Sequence, residues 1–319
     1  MSDPIENVLF WHGDISEISG WKKIKDIVDI WAVGRATSES AICLTSLLYN
    51  GNIYCPITPF RGIYIYNIVS NTWTAKTIVS DRPRCHTSHL YKDKIYCIPD
   101  DGTAIYIYDI NSDAWSRSAS PPAVIYYYTS QLYNGKIFLP EHYGTAMHIY
   151  DITSNTWSIG ADAPASMSRL SSQLYNGKIY CPSGEGTEIH IYDIASNSWT
   201  IGASAPEDIA CSTSNFYNGK IYCLAHNGTT MLIYDVFFNT WSKGAPAPAR
   251  AYRYTSQLYN RKIYYPADWS TAIHIYDITS NTWTIGAPAP AIVDRYTSQL
   301  YKRRIYSIGY MGSPIHVYG

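Results

Sequence analysis

The chain has 319 residues, of which 46% are hydrophobic, and its formal net charge at pH 7 is −1. This charge balance disfavours a protein that binds nucleic acid or a membrane mainly by electrostatic attraction. No apolar run is long enough to span a bilayer. Residues Met1 to Lys23 lack the basic-then-apolar layout of a secretion signal. We therefore expect a globular protein without a nucleic-acid or membrane partner.

Tyr and Trp recur along the chain at a constant spacing of 42 residues. A fixed period in this range is typical of repeat architectures, in which each unit buries its apolar face against its neighbours. The period assigns residues 27–319 to seven repeats and leaves residues 1–26 as an extension, which we expect to pack on the rim. The recurring residues are Tyr49, Tyr91, Tyr133, Tyr175, Tyr217, Tyr259 and Tyr301, and Trp31, Trp73, Trp115, Trp157, Trp199, Trp241 and Trp283.

Each repeat contains four short segments rich in β-branched and aromatic residues, which we name strands A, B, C and D. An Asn-Gly dipeptide joins strands A and B in four repeats. This dipeptide accepts positive φ at both turn positions and therefore predicts a hairpin. Four antiparallel strands in each of seven units predict an all-β protein, a seven-bladed β-propeller. In the repeat that contains Tyr259, the strands are expected at 253–259, 262–265, 272–277 and 283–285.

The last repeat contains strands A, B and C but lacks a strand D. A matching segment, Trp31 to Gly34, precedes the first strand A and lies 42 residues before the strand D that contains Trp73. We therefore expect this N-terminal strand to complete the seventh blade and close the ring. Closure in this way removes an exposed edge strand.

A hydrophobic strand that ends in Tyr, followed by six residues and a Trp, recurs in six repeats after an Asn-Gly-Lys-Ile-Tyr type of hairpin. Together these elements resemble the kelch repeat, although no Gly-Gly pair follows strand B. The resemblance covers residues 27–319 and implies a disc that recognises a protein or peptide. Kelch-like propellers also include a mutarotase, copper oxidases and iron-dependent specifier lyases, so the resemblance leaves an enzymatic alternative.

Seven cysteines occupy two positions of the repeat. Equivalent positions in successive units lie about one unit apart, whereas a disulfide requires Cα atoms within about 7 Å. We interpret the thiols as small apolar core residues in a reducing compartment, which predicts a cytoplasmic protein. The two sets are Cys55, Cys97, Cys181 and Cys223, and Cys43, Cys85 and Cys211.

The loops at the two ends of the strands differ in variability. The A–B and C–D connections are nearly uniform, whereas the D–A and B–C connections differ from repeat to repeat. Loops on a rigid scaffold commonly carry binding residues, and Tyr, Trp and Arg dominate interface hot spots. We therefore expect the D–A/B–C face, named the loop face, to bind the partner. The candidate binding residues are Arg84, Tyr126, Tyr127, Arg169, Tyr252, Arg253, Trp269, Asp294, Arg295, His142 and Tyr143.

These residues predict a monomeric, non-catalytic recognition module for a protein or peptide, or for an anionic small ligand that arginine can bind through two hydrogen bonds. The alternative is a carbohydrate-binding propeller, or an isomerase or lyase, that uses the same face. We predict no catalytic residue, because the serine that recurs in strand A of every repeat cannot be a single nucleophile. We predict no metal, because the local cysteine spacing of a metal site is absent, and we predict no cofactor. Basic turns at Arg261-Lys262 and Lys302-Arg303-Arg304 are interpreted as solvated charge.

Overall fold

The computed structural model confirms the predicted all-β architecture. In the part of the chain that it describes, 28 strands form seven four-stranded antiparallel sheets, and no helix is present. The sheets are the blades of a β-propeller. The expected extension, residues 1–26, lies outside the described part. The described residues are 31–36, 42–57, 62–76, 84–99, 104–122, 128–166, 168, 170–209, 211–225, 228–249, 255–266, 270–291, 295–309 and 314–319.

The strands are numbered β1 to β28 in chain order, and blades 1 to 4 each use four consecutive strands as A, B, C and D. Blade 1 contains β2 (Leu47–Tyr49), β3 (Asn52–Pro56), β4 (Ile63–Asn67) and β5 (Thr72–Lys76). Blade 2 contains β6 (Cys85–Tyr91), β7 (Lys94–Pro99), β8 (Tyr106–Asp109) and β9 (Ala114–Arg117). Blade 3 contains β10 (Gln131–Tyr133), β11 (Lys136–Pro140), β12 (Met147–Asp151) and β13 (Thr156–Ile159). Blade 4 contains β14 (Gln173–Tyr175), β15 (Lys178–Pro182), β16 (Ile189–Asp193) and β17 (Ser198–Ile201).

Blades 5 and 6 follow the same order, and blade 7 joins the two ends of the described chain. Blade 5 contains β18 (Cys211–Tyr217), β19 (Lys220–Ala225), β20 (Met231–Asp235) and β21 (Thr240–Lys243). Blade 6 contains β22 (Gln257–Tyr259), β23 (Lys262–Pro266), β24 (Ile273–Asp277) and β25 (Thr282–Ile285). Blade 7 contains β26 (Arg295–Tyr301), β27 (Arg304–Gly309), β28 (Pro314–Tyr318) and β1 (Trp31–Ala36).

The N-terminal strand closes the ring as predicted. β1 pairs antiparallel with β28, with Trp31 opposite Tyr318 and Val33 opposite His316. The resulting sheet order is β1-β28-β27-β26, so the N-terminal strand serves as strand D of blade 7. This pairing covers the outer edge of β28 and leaves that strand with a neighbour on both sides.

The A–B turns adopt the left-handed backbone that Asn-Gly predicts. In blade 1 the φ angles are 47° at Asn50 and 72° at Gly51. The Asn-Gly turns of blades 3, 4 and 5 have the same signs. Three blades lack the glycine and still hold both turn residues at positive φ. Their turn residues are Lys92-Asp93 in blade 2, Asn260-Arg261 in blade 6 and Lys302-Arg303 in blade 7.

The hydrophobic core lies between neighbouring blades. In one cluster Ile53 and Tyr66 of blade 1 pack with Tyr306 and Ile315 of blade 7. The ring centroids of Tyr66 and Tyr306 are 6.4 Å apart. Burying one such large side chain contributes about 1.5–3 kcal/mol. Because each blade buries its faces only against its neighbours, the seven repeats form a single ring-shaped domain.

The recurring Trp holds five of the described blades to the blade before them. In blade 4 the Trp199 indole Nε1 donates to the carbonyl oxygen of Ala161 at 2.8 Å. The backbone N–H of the same Ala161 donates to Asn197 Oδ1 at 2.8 Å, and the Tyr192 hydroxyl donates to that oxygen at 2.6 Å. In five described blades, the Trp indole and the Asn side chain two residues before it hydrogen-bond to the backbone of the same residue in the preceding blade. The other four sets are Trp73 and Asn71 on Arg35, Trp157 and Asn155 on Ala119, Trp241 and Asn239 on Ala203, and Trp283 and Asn281 on Ala245.

The recurring serine of strand A links the blades around the central axis. Thr129 Oγ1 lies 2.6 Å from Ser172 Oγ in the next blade, and Gln131 Nε2 donates to Ser172 O at 3.0 Å. The Thr297 and Ser46 hydroxyls, 2.8 Å apart, extend the ring from blade 7 to blade 1. Neighbouring A strands are also in contact. The serines therefore have a structural role at the axis, as the seven-fold repetition indicates.

All seven cysteines are buried, which confirms the packing interpretation of the thiols. The structure also pairs thiols that occupy non-equivalent repeat positions. Cys43, in the segment before β2, donates its thiol hydrogen to the carbonyl oxygen of Thr45 at 3.1 Å, and burial together with the neighbouring Cys55 of β3 raises the pKa of the Cys43 thiol. The same relationship recurs in blades 2 and 5, where it raises the pKa of Cys97 and Cys223.

Candidate functional site

A row of aromatic side chains runs along the loop face from blade 2 to blade 3. The centroids of His86 and Tyr128, which occupy equivalent positions in the two blades, are 4.7 Å apart in an edge-to-face arrangement. Tyr128 contacts His142 at 4.4 Å, and His142 contacts Tyr143 at 4.2 Å. Edge-to-face pairs are favourable beyond the area they bury. The row therefore gives the B–C loop of blade 3 a rigid base.

Tyr143 stands at the tip of this loop. Its backbone adopts φ 57°, a left-handed conformation that non-glycine residues rarely adopt. The Glu141 carboxylate lies across Gly144 and accepts a hydrogen bond from the Ala146 N–H at 3.3 Å, which closes the loop on itself. The Tyr143 side chain is 58% exposed, and its hydroxyl donates to Glu185 Oε1 of blade 4 at 3.1 Å. Strain of this kind at an exposed aromatic residue is typical of a functional position.

An open cleft of about 420 Å³ lies beside Tyr143, between the loops of blades 3 and 4. The Ser183 hydroxyl donates to the Glu185 carbonyl oxygen, and the Glu185 N–H donates back to Ser183 Oγ at 3.1 Å. These two bonds fix the loop that carries Glu185. The lining residues are Tyr143, Ser166, Ser168, Ser183, Glu185, Gly186, Thr187 and Glu188.

Among the described residues that line the cleft, the two charged groups are both carboxylates, Glu185 and Glu188. Glu188 Oε2 lies 3.2 Å from Nε2 of the buried His190, and the Glu188 side chain is 47% exposed. Within β12, burial lowers the pKa of His148, so this imidazole is neutral at pH 7. The cleft therefore combines negative charge, serine hydroxyls and one exposed aromatic ring, a set that suits a cationic or hydrogen-bonding ligand.

Four of the predicted binding residues fall on described backbone. Arg84 immediately precedes β6 and is exposed, while Arg295 begins β26 and pairs with Gly309. His142 and Tyr143 lie together beside the cleft. The structure thus brings together two of the candidates, on blade 3. The remaining candidates, which lie outside the described residues, are Tyr126, Tyr127, Arg169, Tyr252, Arg253, Trp269 and Asp294.

Sequence reasoning missed two residues of this site. Tyr128 follows the predicted residues Tyr126 and Tyr127, and it occupies the same repeat position as His86, which it contacts. Glu188 has a signal that could have identified it, because the equivalent positions in the other six repeats carry Gly, Ala, Thr or Pro. A single acidic residue at a repeat position that otherwise holds small, uncharged residues indicates a role specific to blade 4.

Among the described residues, no group of three His, Cys, Asp or Glu side chains could hold a metal ion. Within the same residues, no helix is long and apolar enough to cross a membrane.

No family model matches the chain, and no curated protein matches it. Solved structures match its fold. Virginiamycin B lyase from Staphylococcus aureus is 10% identical, with a TM-score of 0.75 over 90% of this chain and 98% of that chain. YCF48, solved bound to a D1 peptide, is 13% identical, with a TM-score of 0.70 over 92% and 97%. The computationally designed Ika8 protein is 11% identical, with a TM-score of 0.64 over 89% and 98%.

These similarities support the β-propeller fold and are too distant to assign an activity. The resemblance to the kelch repeat concerns the sequence of this chain and remains an expectation. The similar structures include a lyase and a propeller bound to a peptide, so both kinds of activity occur on this fold.

Proposed function

We propose that the protein is a non-catalytic recognition module that binds a segment of a partner protein through the loop face. The observation that carries this proposal is the exposed Tyr143 ring, held beside the cleft between blades 3 and 4. An aromatic residue supplies a large contact area with few torsions to immobilise, which is why it is common among hot spots.

The chemistry of the cleft favours a segment that contains Lys or Arg. A cation placed in the cleft would meet the carboxylates of Glu185 and Glu188 and the face or edge of Tyr143. Charge-assisted hydrogen bonds to carboxylates are stronger than neutral ones, and a cation over an aromatic face adds further attraction. An anionic ligand, by contrast, would be repelled at this position.

The peptide-bound YCF48 structure supports a peptide as the ligand of such a disc, since it shares the fold over most of both chains. The aromatic row that packs behind Tyr143 also supports a binding role for this residue. A residue that is held rigidly before binding loses less entropy when the complex forms.

The proposal can be tested by selecting peptides from a random display library on the full-length protein and measuring the affinity of the best one by fluorescence anisotropy. We expect the selected sequences to be enriched in Lys or Arg. Tyr143→Ala should weaken binding by about 2 kcal/mol, roughly 30-fold. Glu188→Gln should weaken it and reduce its dependence on salt.

Lys178→Ala is the matched control, because Lys178 begins strand B of blade 4 at the opposite face and its substitution should leave binding unchanged. Selected peptides without basic residues would contradict the preference for a cationic segment. Binding that is lost in the control and kept in Tyr143→Ala would show that a different face is used. A glycan array run in parallel tests the alternative. Tyr143-dependent sugar binding without peptide binding would favour the carbohydrate-binding function.

A further inference from the structure

The opposite face of the disc, formed by the A–B and C–D turns and named the turn face, is uniform in blades 3 and 4 and departs from the repeat in blades 5 to 7. Blade 5 introduces phenylalanine, whereas blades 6 and 7 introduce arginine and lysine. The three blades are consecutive around the ring, since Thr213 of blade 5 bonds Ser256 of blade 6 and Thr255 of blade 6 bonds Ser298 of blade 7. These three blades therefore form one continuous sector. Blade 2 also lacks the Asn-Gly turn, but there Lys92 is followed by the acidic Asp93.

The apolar part of the sector is made by three of the six phenylalanines of the chain, Phe216, Phe237 and Phe238. Every other repeat has Leu at the position of Phe216, and every other described C–D turn has Ser at the position of Phe238. Phe216 stacks on Tyr175 of blade 4 with centroids 4.6 Å apart, and Phe237 meets the same tyrosine edge-on at 6.0 Å. The aromatic side chains thus form a cluster rather than isolated substitutions.

The two turn phenylalanines remain exposed to solvent. Phe237 is 66% exposed and Phe238 is 78% exposed. The Phe237 ring of the C–D turn also lies across Gly219 of the A–B turn, so the two turns of blade 5 together form one exposed apolar surface. Large exposed aromatic residues on a turn add nothing to the core, and exposed patches of this kind mark sites of interaction.

The cationic part of the sector lies on the A–B turns of blades 6 and 7. Arg261, Lys302 and Arg303 adopt φ angles of 59°, 46° and 67°, where most other blades use Asn-Gly. Bulky residues are disfavoured in this conformation, so replacing the glycine lowers stability. In blades 2 to 5 the lysine after the turn pairs with an aspartate of strand C, as Lys178 does with Asp193. In blade 7 the corresponding pair of positions holds Arg304 and Gly319, so that blade carries no acid there.

We propose that this sector of the turn face docks onto an anionic membrane surface, with Phe237 and Phe238 entering the interface and the basic turns contacting lipid headgroups. Charge complementarity selects this partner, because blades 6 and 7, which follow the exposed phenylalanines of blade 5 around the ring, carry five cations at their A–B turns. These are Arg261, Lys262, Lys302, Arg303 and Arg304, of which Lys262 lies opposite Asp277. Apolar insertion combined with basic residues is the pattern that holds peripheral proteins on anionic lipid. The formal net charge of −1 for the whole chain conceals this local concentration of positive charge.

Docking through the turn face leaves the loop face directed toward the aqueous side. The inference goes beyond the proposed function and does not depend on it, since the two faces use different residues. A protein that binds at both faces would hold its loop-face partner at a membrane surface.

The experiment is co-sedimentation of the full-length protein with vesicles of phosphatidylcholine alone or with about 30 mol% phosphatidylserine, at about 50 mM salt. We expect binding to the anionic vesicles and its loss as salt is raised. Phe237→Thr combined with Phe238→Ser restores the Thr-Ser turn of blades 3 and 6 and should reduce partitioning at least about tenfold. Lys302→Asn combined with Arg303→Gly restores the Asn-Gly turn and should reduce it about 25-fold, roughly fivefold for each cation.

Both double variants restore the consensus of the repeat, so a thermal melt should show them folded and at least as stable as the parent. Lys243→Ala is the control, because it removes one positive charge, which pairs with Glu207, from the other end of blade 5 and should leave vesicle binding unchanged. No binding to anionic vesicles, or binding that neither double variant reduces, would overturn the proposal. Binding of a single-stranded RNA oligonucleotide in place of vesicles, lost in the phenylalanine variant, would overturn it in favour of a nucleic-acid surface.

Discussion

The indole Nε1 of Trp73 donates a hydrogen bond of 2.8 Å to the carbonyl oxygen of Arg35. Arg35 lies in β1, the strand that completes blade 7, whereas Trp73 lies in β5 of blade 1. The Arg35 N–H donates in turn to Asn71 Oδ1 at 2.8 Å. The N-terminal strand is therefore held on two sides, by backbone pairing with β28 and by side chains of the next blade.

Removing this strand should open the ring. A truncated protein that begins at residue 37 would expose the edge of β28 and would leave the indole of Trp73 and the amide of Asn71 without their bonds to Arg35. We expect aggregation or loss of the cooperative thermal transition, which calorimetry and light scattering would measure. A truncation that begins at Lys22 retains β1 and should melt like the full chain. Equal melting behaviour of the two truncated proteins would refute closure by β1.

Lys76 of blade 1 and Asp113 of blade 2 meet at the junction of the two blades. Most other blades have a glycine at the position of Lys76 and an asparagine at the position of Asp113. In blade 4 a Cβ at Gly202 would lie 2.8 Å from the Tyr234 hydroxyl of the next blade, so glycine fits there. In blade 1 Lys76 Nζ instead lies 3.1 Å from Asp113 Oδ2. We expect a double-mutant cycle with Lys76→Met and Asp113→Asn to give a coupling of about 0.5 kcal/mol, because the pair is partly exposed.

Chemical denaturation of the four proteins would measure this coupling. Because salt screens exposed charges, the coupling should largely disappear at about 1 M NaCl. A coupling that persists at high salt would show that packing of the lysine stem, and not charge, links the two residues.

His89 should make the protein sensitive to mild acid. Burial lowers the pKa of this imidazole to about 4, whereas an unfolded histidine titrates near 6.5. The unfolded state therefore takes up the proton first, and the stability that His89 contributes above pH 6.5 is lost as the pH falls toward 4. His89→Gln substitutes the residue found at this position in four other blades and can keep the contact with Ser130, which His89 Nε2 makes at 2.7 Å.

We expect the variant to lose less stability than the parent between pH 6.5 and 4, as measured by urea denaturation at each pH. Above pH 7 the two proteins should have similar stability. Parallel loss of stability in both proteins would show that other groups carry the acid sensitivity.

The thiols should be unreactive in the folded protein. Burial, reinforced by the adjacent Cys55, raises the pKa of Cys43, so little of the reactive thiolate is present at pH 8. A thiol reagent should label few cysteines in native buffer and all seven after unfolding. Mass spectrometry of the unreduced protein tests for disulfides directly. A native disulfide between Cys43 and Cys55 would contradict the prediction that the thiols are reduced.

The fold was accessible from the sequence because its determinants are periodic. The spacing of Trp31 from Trp73 located the closing strand, and the recurring Asn-Gly dipeptides located the hairpins. Comparing equivalent positions of the repeat did not predict the thiol pairs. Cys43 and Cys55 occupy two different positions of the repeat, and they become neighbours only when strands A and B pair.

The candidate site was accessible only in part. Its residues lie in loops that do not follow the repeat, so their spacing carries no information on which side chains meet. The sequence nominated His142 and Tyr143 by residue type, but the contact from Tyr143 to Glu185 depends on how two loops of adjacent blades are folded. The partner of Tyr143 lies 42 residues away, one full repeat, which shows that the period still sets which loops are neighbours.

The pairing of Trp31 with Tyr318 places the two ends of the described chain at the same spot on blade 7, where other blades have a C–D turn. A peptide copied from such a turn, Asp277 to Thr282 for instance, has the length needed to join Tyr318 to Trp31. The chain could then be opened in any D–A loop without breaking a strand. The point at which the polypeptide enters the disc is thus interchangeable among the blades, and circularly permuted proteins that begin at different blades should fold to the same ring.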